Sequence, residues 1–133
     1  MGEAKGRLKA GQKANRKGRS APRVKFVQLH SWMLESEAYR TLCPGARALY
    51  VELAYRFNGR NNGKVYLSCR EAAQRLHSSK DSASRWFREL EASGFIRMRQ
   101  RGSFDWKSHQ ATEWILTEHE YAGEPATKDF MRG

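Results

Sequence analysis

In 133 residues the chain carries 25 Lys and Arg against 14 Asp and Glu, a formal net charge of +11. That length suffices for one domain with a core and is short for two. The charge puts a polyanion, either nucleic acid or an anionic membrane surface, first among the partners to expect.

The charge is concentrated at the start. Residues 1–23, "MGEAKGRLKAGQKANRKGRSAPR", hold eight Lys and Arg and one acid, Glu3, so +7 of the +11 lies there. With Leu8 as its one large aliphatic residue after the first Met, this stretch buries too little apolar surface to offset its ordering entropy. It is expected to be a disordered basic arm, serving either as a solubilising tail or as a non-specific phosphate-binding arm. It lacks the apolar core of a signal peptide, and no stretch of the chain approaches a membrane-spanning length, so a cytoplasmic protein without membrane attachment is expected.

The folded domain is expected over residues 24–133. "VKFVQLHSWMLES" alternates at Val24 and Phe26 like a short extended segment, with Trp32, Met33 and Leu34 available to pack on the body. Ser36 is placed to cap a one- or two-turn helix that ends before Pro44, because the residue preceding a proline avoids helical geometry. Pro44 is a favoured first helical residue, and Ala46, Leu49, Leu53 and Phe57 recur at intervals of three and four. This predicts a helix with one buried stripe, closed by Asn58-Gly59.

"NGRNNGK" tolerates positive φ and leads into a brief strand at Val65, Tyr66 and Leu67. Ser68 and Glu71 then have the spacing of a capping box, Ser68 accepting from the third helical amide and Glu71 reaching back to the Ser68 amide. The helix they open runs to Leu76 or His77, with Ala72, Ala73 and Leu76 inward. Ser79 caps a third helix, "KDSASRWFRELEASG", which buries Ala83, Trp86 or Phe87, and Leu90 and stops at Gly94. Its opposite side shows Lys80, Ser82, Ser84, Arg85 and Arg88. The period then changes to two. Ile96 and Met98 alternate with Arg97, Arg99 and Arg101, and after "GSFDWKSHQ" the run "TEWILT" sets Trp114 and Leu116 on one face. The pair reads as a hairpin with an arginine-rich outer face. Phe130 and Met131 in the tail are available to fold back.

Helix, short strand, helix, tight turn, helix, hairpin is the order of a winged helix-turn-helix domain. The stretch "LSCREAAQRLHSSKDSASRWFRELEASGFIRMRQRG" resembles the winged-helix pattern of bacterial and phage proteins, among them transcription regulators and plasmid or phage replication initiators. Leu90, Gly94, Phe95 and Ile96 supply the Leu-x-x-x-Gly-hydrophobic-Ile ending before the wing, and Ala73, Leu76, Ser79 and Ala83 complete the match over the middle third of the chain. The resemblance implies an α+β, mainly helical fold, with a three-helix core and a C-terminal β-hairpin wing. It also implies binding of double-stranded DNA through the third helix, and it leaves a homodimer open. Two residues depart from the pattern. Asp81 suits the helix dipole but repels phosphate, or else accepts from a cytosine amino group. Trp86 is bulkier than many residues at its place and is expected in the core rather than on a base.

Residues at the start of a helix that enters the major groove face base edges. Arg85 is placed to bond both acceptors of a guanine, and Ser79, Lys80, Ser82 and Ser84 to reach bases or phosphates; Arg88, one turn on, is expected at the backbone. Arg97, Arg99 and Arg101, with Lys107 and His109 at the wing tip, suit phosphate contacts or a minor-groove approach. The other readings of this basic surface are an RNA-binding module, without the paired aromatics and Gly-rich motif of the common RNA folds, and a protein-docking winged helix. No phosphate loop, nucleophile elbow, zinc protease motif or pair of buried acids is present, so no enzymatic activity is expected. Cys43 and Cys69 form no CxxC and the four histidines are scattered singly, so no metal or other cofactor is expected.

Overall fold

A computed structural model of the chain describes residues 24–100 and 112–132; the basic arm, and the hairpin tip with Arg101, Lys107 and His109, lie outside the described residues. The described residues form an α+β fold of five α-helices and one small antiparallel sheet. Two single-turn helices come first, α1 (Ser31–Leu34) and α2 (Glu37–Arg40). The Ser36 hydroxyl caps α2 by accepting from the Tyr39 amide at 3.2 Å, as its spacing predicts. Helix α1 has no counterpart in the sequence reading. No side chain caps its His30 start, and what holds it is tertiary, with Met33 fully buried.

Helix α3 (Pro44–Arg56) opens on its proline and buries Ala46, Leu49, Tyr50, Leu53 and Ala54. Its end differs from expectation. The chain leaves the helix at Phe57, which is extended (φ −78°, ψ 130°), so Phe57 is not part of the stripe. Asn58-Gly59 belongs to the loop that follows, where the Asn58 side chain accepts from the Arg60 and Asn61 amides at 2.8 and 3.1 Å. The loop delivers β1 (Val65–Tyr66), then α4 (Cys69–Leu76). Half of the capping box is present: the Ser68 hydroxyl accepts from the Glu71 amide at 3.0 Å. The Glu71 carboxylate is drawn away to Arg56 of α3, since a charged partner outbids one more backbone amide.

Helix α4 ends on His77 in the left-handed region (φ 52°), and the Ser78 amide donates to the Ala73 carbonyl at 2.9 Å. Two residues later α5 (Lys80–Ala92) begins, the Ser79 hydroxyl accepting from the Ser82 amide at 3.0 Å. Gly94 closes α5. Its φ is +88°, its amide donates to Glu91, and the Phe95 amide donates to the Leu90 carbonyl at 3.0 Å, with Leu90 and Phe95 both buried.

The sheet is ordered β1, β3, β2, with β2 at Ile96–Gln100 and β3 at Glu113–Leu116 in the middle. Ile96 and Met98 face Leu116 and Trp114, and this face joins the core beneath α5, where Phe87 stacks on Trp114 with centroids 5.8 Å apart. Arg99 interrupts the pairing: Met98 faces Trp114 and Gln100 faces Glu113, so Arg99 is an extra residue in β2 and the expected two-residue alternation of arginines breaks there. The tail folds back through a 3₁₀ turn (Asp129–Arg132). Phe130 is buried, stacked on Phe95 at 4.6 Å, whereas Met131 stays about half exposed. Sequence did not suggest the burial of Ile115, on the face away from the helices, or of Thr117 and Glu118; the Lys128 amide of the tail donates to the Thr117 carbonyl at 2.8 Å.

Candidate nucleic-acid interface

Helix α5 is fixed on several sides, which decides what its remaining side can do. Trp86 lies over Gly45 in the first turn of α3, so closely that a Cβ on Gly45 would sit 2.1 Å from the indole. Glu89 accepts from the Cys43 amide at 3.0 Å and from the Cys43 thiol at 3.2 Å, so a carboxylate from α5 caps the start of α3, where the helix dipole favours it. Ala83, Phe87 and Leu90 are buried. Trp86 is thus held on the body side, half-buried.

The open side carries Lys80, Asp81, Ser82, Ser84, Arg85 and Arg88. Lys80, Ser84 and Arg88 stand at intervals of four along one stripe, with Asp81 and Arg85 beside it. The Arg85 guanidinium donates to the Ser82 hydroxyl at 3.0 Å, and that of Arg88 to the Ser84 hydroxyl at 2.8 Å. Asp81 sits in the first turn and takes no ion pair from Arg85, although the two are four residues apart. Ser79 is committed to the cap and also donates to the Ser82 hydroxyl at 3.1 Å, so its oxygen belongs to the turn more than to the open face.

Lys80, Arg85 and Arg88 have no carboxylate within ion-pair distance among the described residues. Within the same residues Arg40, Arg47, Arg60, Arg70 and Arg132 also make no ion pair, so what marks the α5 cations is their grouping on one helix face. The two sheet arginines are paired, Arg99 with Glu113 at 2.6 Å and Arg97 more loosely with Asp129 at 3.9 Å, as are Arg75 with Glu52 at 2.9 Å and Arg56 with Glu71. Position separates the α5 and sheet cations. Arg97 faces Ile115 on the side of the sheet turned away from the helices, beside an open cavity of about 480 Å³ lined by Ile115, His119, Tyr121, Pro125 and Arg132. The structure therefore brings together Lys80, Ser82, Ser84, Arg85 and Arg88, and it sets Arg97 and Arg99 apart from them. Arg101 and Lys107 fall outside the described residues.

Sequence reasoning missed Gly45 and Glu89, the two residues that orient α5, and it missed a buried cluster around Glu118. The Glu118 carboxylate accepts from the Tyr50 hydroxyl at 2.6 Å, from the His30 amide at 2.7 Å and from His30 Nδ1 at 2.8 Å, with His119 Nε2 3.7 Å away. Burial, reinforced by the Glu118 charge, holds the Tyr50 hydroxyl protonated far above the usual tyrosine range. Burial lowers the His119 pKa below its ordinary value; Glu118 opposes this in part and His30 adds to it. No local pattern announces Glu118, because its partners are 68 and 88 residues away. Among the described residues no three His, Cys, Asp or Glu side chains are grouped to hold a metal ion, and no helix is long and apolar enough to cross a membrane. In comparisons with protein-family models, curated proteins and solved structures, the chain matches none.

Proposed function

We propose that this chain is a winged helix-turn-helix protein that binds double-stranded DNA sequence-specifically, with α5 in the major groove, in transcription regulation or in replication of the plasmid or phage kind. The observation that carries this reading is the open face of α5: Lys80, Arg85 and Arg88 stand together there with Ser82 and Ser84, and none of the three is held in an ion pair among the described residues, whereas Arg97 and Arg99 of the sheet are each paired with an acid. A cation left without a protein carboxylate is available to a phosphate or to the O6 and N7 acceptors of guanine. The sheet order, with the strand before α4 pairing beside the hairpin, supports the winged form of the fold. Arg85 is the base reader, its planar guanidinium exposed and donating to the Ser82 hydroxyl, and Arg88 meets backbone. Arg97 and Arg99, tied to acids, contribute little.

The test is selection of bound sequences from a random duplex pool run beside a random RNA pool at physiological salt. Enrichment of one duplex motif supports the proposal. Enrichment from the RNA pool replaces it with an RNA-binding reading, and enrichment from neither leaves α5 as a protein-docking helix.

A further inference from the structure

We infer that Asp81 is a specificity-determining residue of the α5 face, its carboxylate accepting from the exocyclic amino group of a cytosine about one or two base pairs from the guanine that Arg85 reads. The inference rests on the reading of α5 as the helix that enters the major groove. Its first support is position. Ala83, Phe87 and Leu90 are buried and mark the inward direction of α5. With about 100° between successive residues, the opposite direction runs through Asp81, Arg85 and Arg88. All three are exposed, whereas Ser82 and Ser84 to either side are partly covered. Asp81 therefore stands in the middle of the open side, in the first turn and one turn before Arg85. A helix laid in the groove by this face brings its carboxylate to the base edges.

The second support is that the carboxylate is uncommitted. Ser79 already caps α5, its hydroxyl accepting from the Ser82 amide at 3.0 Å. Arg85, four residues on, is spaced to pair with Asp81 but donates to Ser82, and Arg88 donates to Ser84. Among the described residues Asp81 accepts no hydrogen bond and makes no ion pair. What remains for it within the protein is the helix dipole, an attraction that exposure and salt weaken. On a face of cations it is the one acceptor-only group, and it repels phosphate.

The groove supplies what such a group needs. An ionised carboxylate only accepts, and the donors in the major groove are N4 of cytosine and N6 of adenine. Adenine sets N7, itself an acceptor, beside its amino group, and that lone pair opposes the second carboxylate oxygen. Cytosine presents N4 with no acceptor on the same base edge, so cytosine is selected. Guanine O6 and thymine O4 are rejected by repulsion, which is specificity of the opposite sign to that of Arg85. Four residues of helix advance about 6 Å and successive base pairs about 3.4 Å, which sets the spacing of the cytosine from the guanine.

The test is selection from a random duplex pool with the unaltered full chain, Asp81→Asn and Asp81→Ala, followed by anisotropy titrations on the selected duplex, its single-base variants and a scrambled duplex. The unaltered chain is expected to enrich a guanine and a separate cytosine. Asp81→Asn should replace that cytosine with adenine, because a carboxamide both donates to N7 and accepts from N6, and should weaken the original duplex roughly 10-fold. Asp81→Ala should lose preference at that position alone and keep the guanine. Both variants should bind the scrambled duplex at least as well as the unaltered chain, the repulsion of phosphate being removed, and far-UV dichroism should show both folded. An unchanged motif, with all duplexes bound more tightly by one common factor, overturns the inference and leaves Asp81 to the helix dipole. A change confined to the guanine overturns it as well, by making Asp81 an orienter of Arg85. If the unaltered chain enriches no duplex motif, the reading of α5 falls and this inference falls with it.

Discussion

Arg85 and Arg97 are both exposed arginines, and their surroundings assign them different work. Arg85 is exposed, donates to the Ser82 hydroxyl and makes no ion pair, while Arg97 has Asp129 within 3.9 Å on the far side of the sheet. Arg85→Ala is therefore expected to lose about 1–3 kcal/mol on the preferred duplex and to relax preference at one base pair. Arg97→Ala and Arg99→Ala should leave DNA affinity within about 0.5 kcal/mol, since both lie off the α5 face, Arg97 beside Ile115 on the side of the sheet turned away from the helices. Anisotropy titrations on the preferred site and on its single-base variants check this; equal losses at Arg85 and Arg97 would refute the division.

His119 gives a second prediction at the same scale. Its pKa in the folded protein lies below the ordinary 6.5, so below that pH the unfolded chain binds the proton more readily than the folded one. Stability from this group is complete above pH 6.5 and is lost as pH falls from there toward the folded pKa. His119→Phe, which keeps the ring stacked on Phe57, should flatten that part of the pH profile of urea midpoints; an unchanged profile would assign the dependence to other groups. The residues of the α5 face were legible in the sequence because a helix of known start and period determines which positions point outward. Gly45, Glu89 and Glu118 were not, because each acquires its meaning from a partner that only the fold brings near.

At the scale of elements, caps proved readable and tertiary fits did not. Ser36, Ser68, Ser79 and Gly94 mark helix ends through bonds made within a few residues, so their spacing in the sequence predicts where α2, α4 and α5 begin and where α5 ends. Helix α1 and the irregularity at Arg99 depend on contacts with the tail and with β3, and no local pattern encodes them. Gly94 joins both kinds of constraint. Its φ of +88° disfavours any side chain, and a Cβ would lie 2.8 Å from backbone atoms of Asp129 and Phe130. Gly94→Ala is expected to cost more than the roughly 1–2 kcal/mol of a left-handed alanine, because the tail must move as well. His77, left-handed without being glycine, supplies the opposite case: His77→Gly should stabilise by about 1 kcal/mol. Urea denaturation of the two variants checks both signs.

Across the whole molecule, the uneven charge sets how binding responds to salt. Eight basic residues precede Arg23 or include it, ahead of a body that is itself mildly basic. If half of those charges neutralise phosphates, removal of residues 1–23 makes the slope of log affinity against log salt shallower by roughly 3 to 4. Specific and scrambled duplexes should weaken by similar factors, because charge without a fixed geometry carries no base information. Superimposable slopes for the full and shortened chains would mark the arm as a solubilising tail.

On the proposed reading the duplex meets the open face of α5 and not the arginine-bearing outer side of the sheet. Amide chemical-shift mapping of the ¹⁵N-labelled full chain, titrated with its selected duplex, distinguishes the two surfaces. The largest shifts are expected from His77 through Arg88, together with loss of the Arg85 side-chain exchange at its Nε–H, while Arg97, Ile115 and the tail amides stay in place. Shifts centred on Arg97, Ile115 and Tyr121, with the start of α5 unmoved, would contradict it.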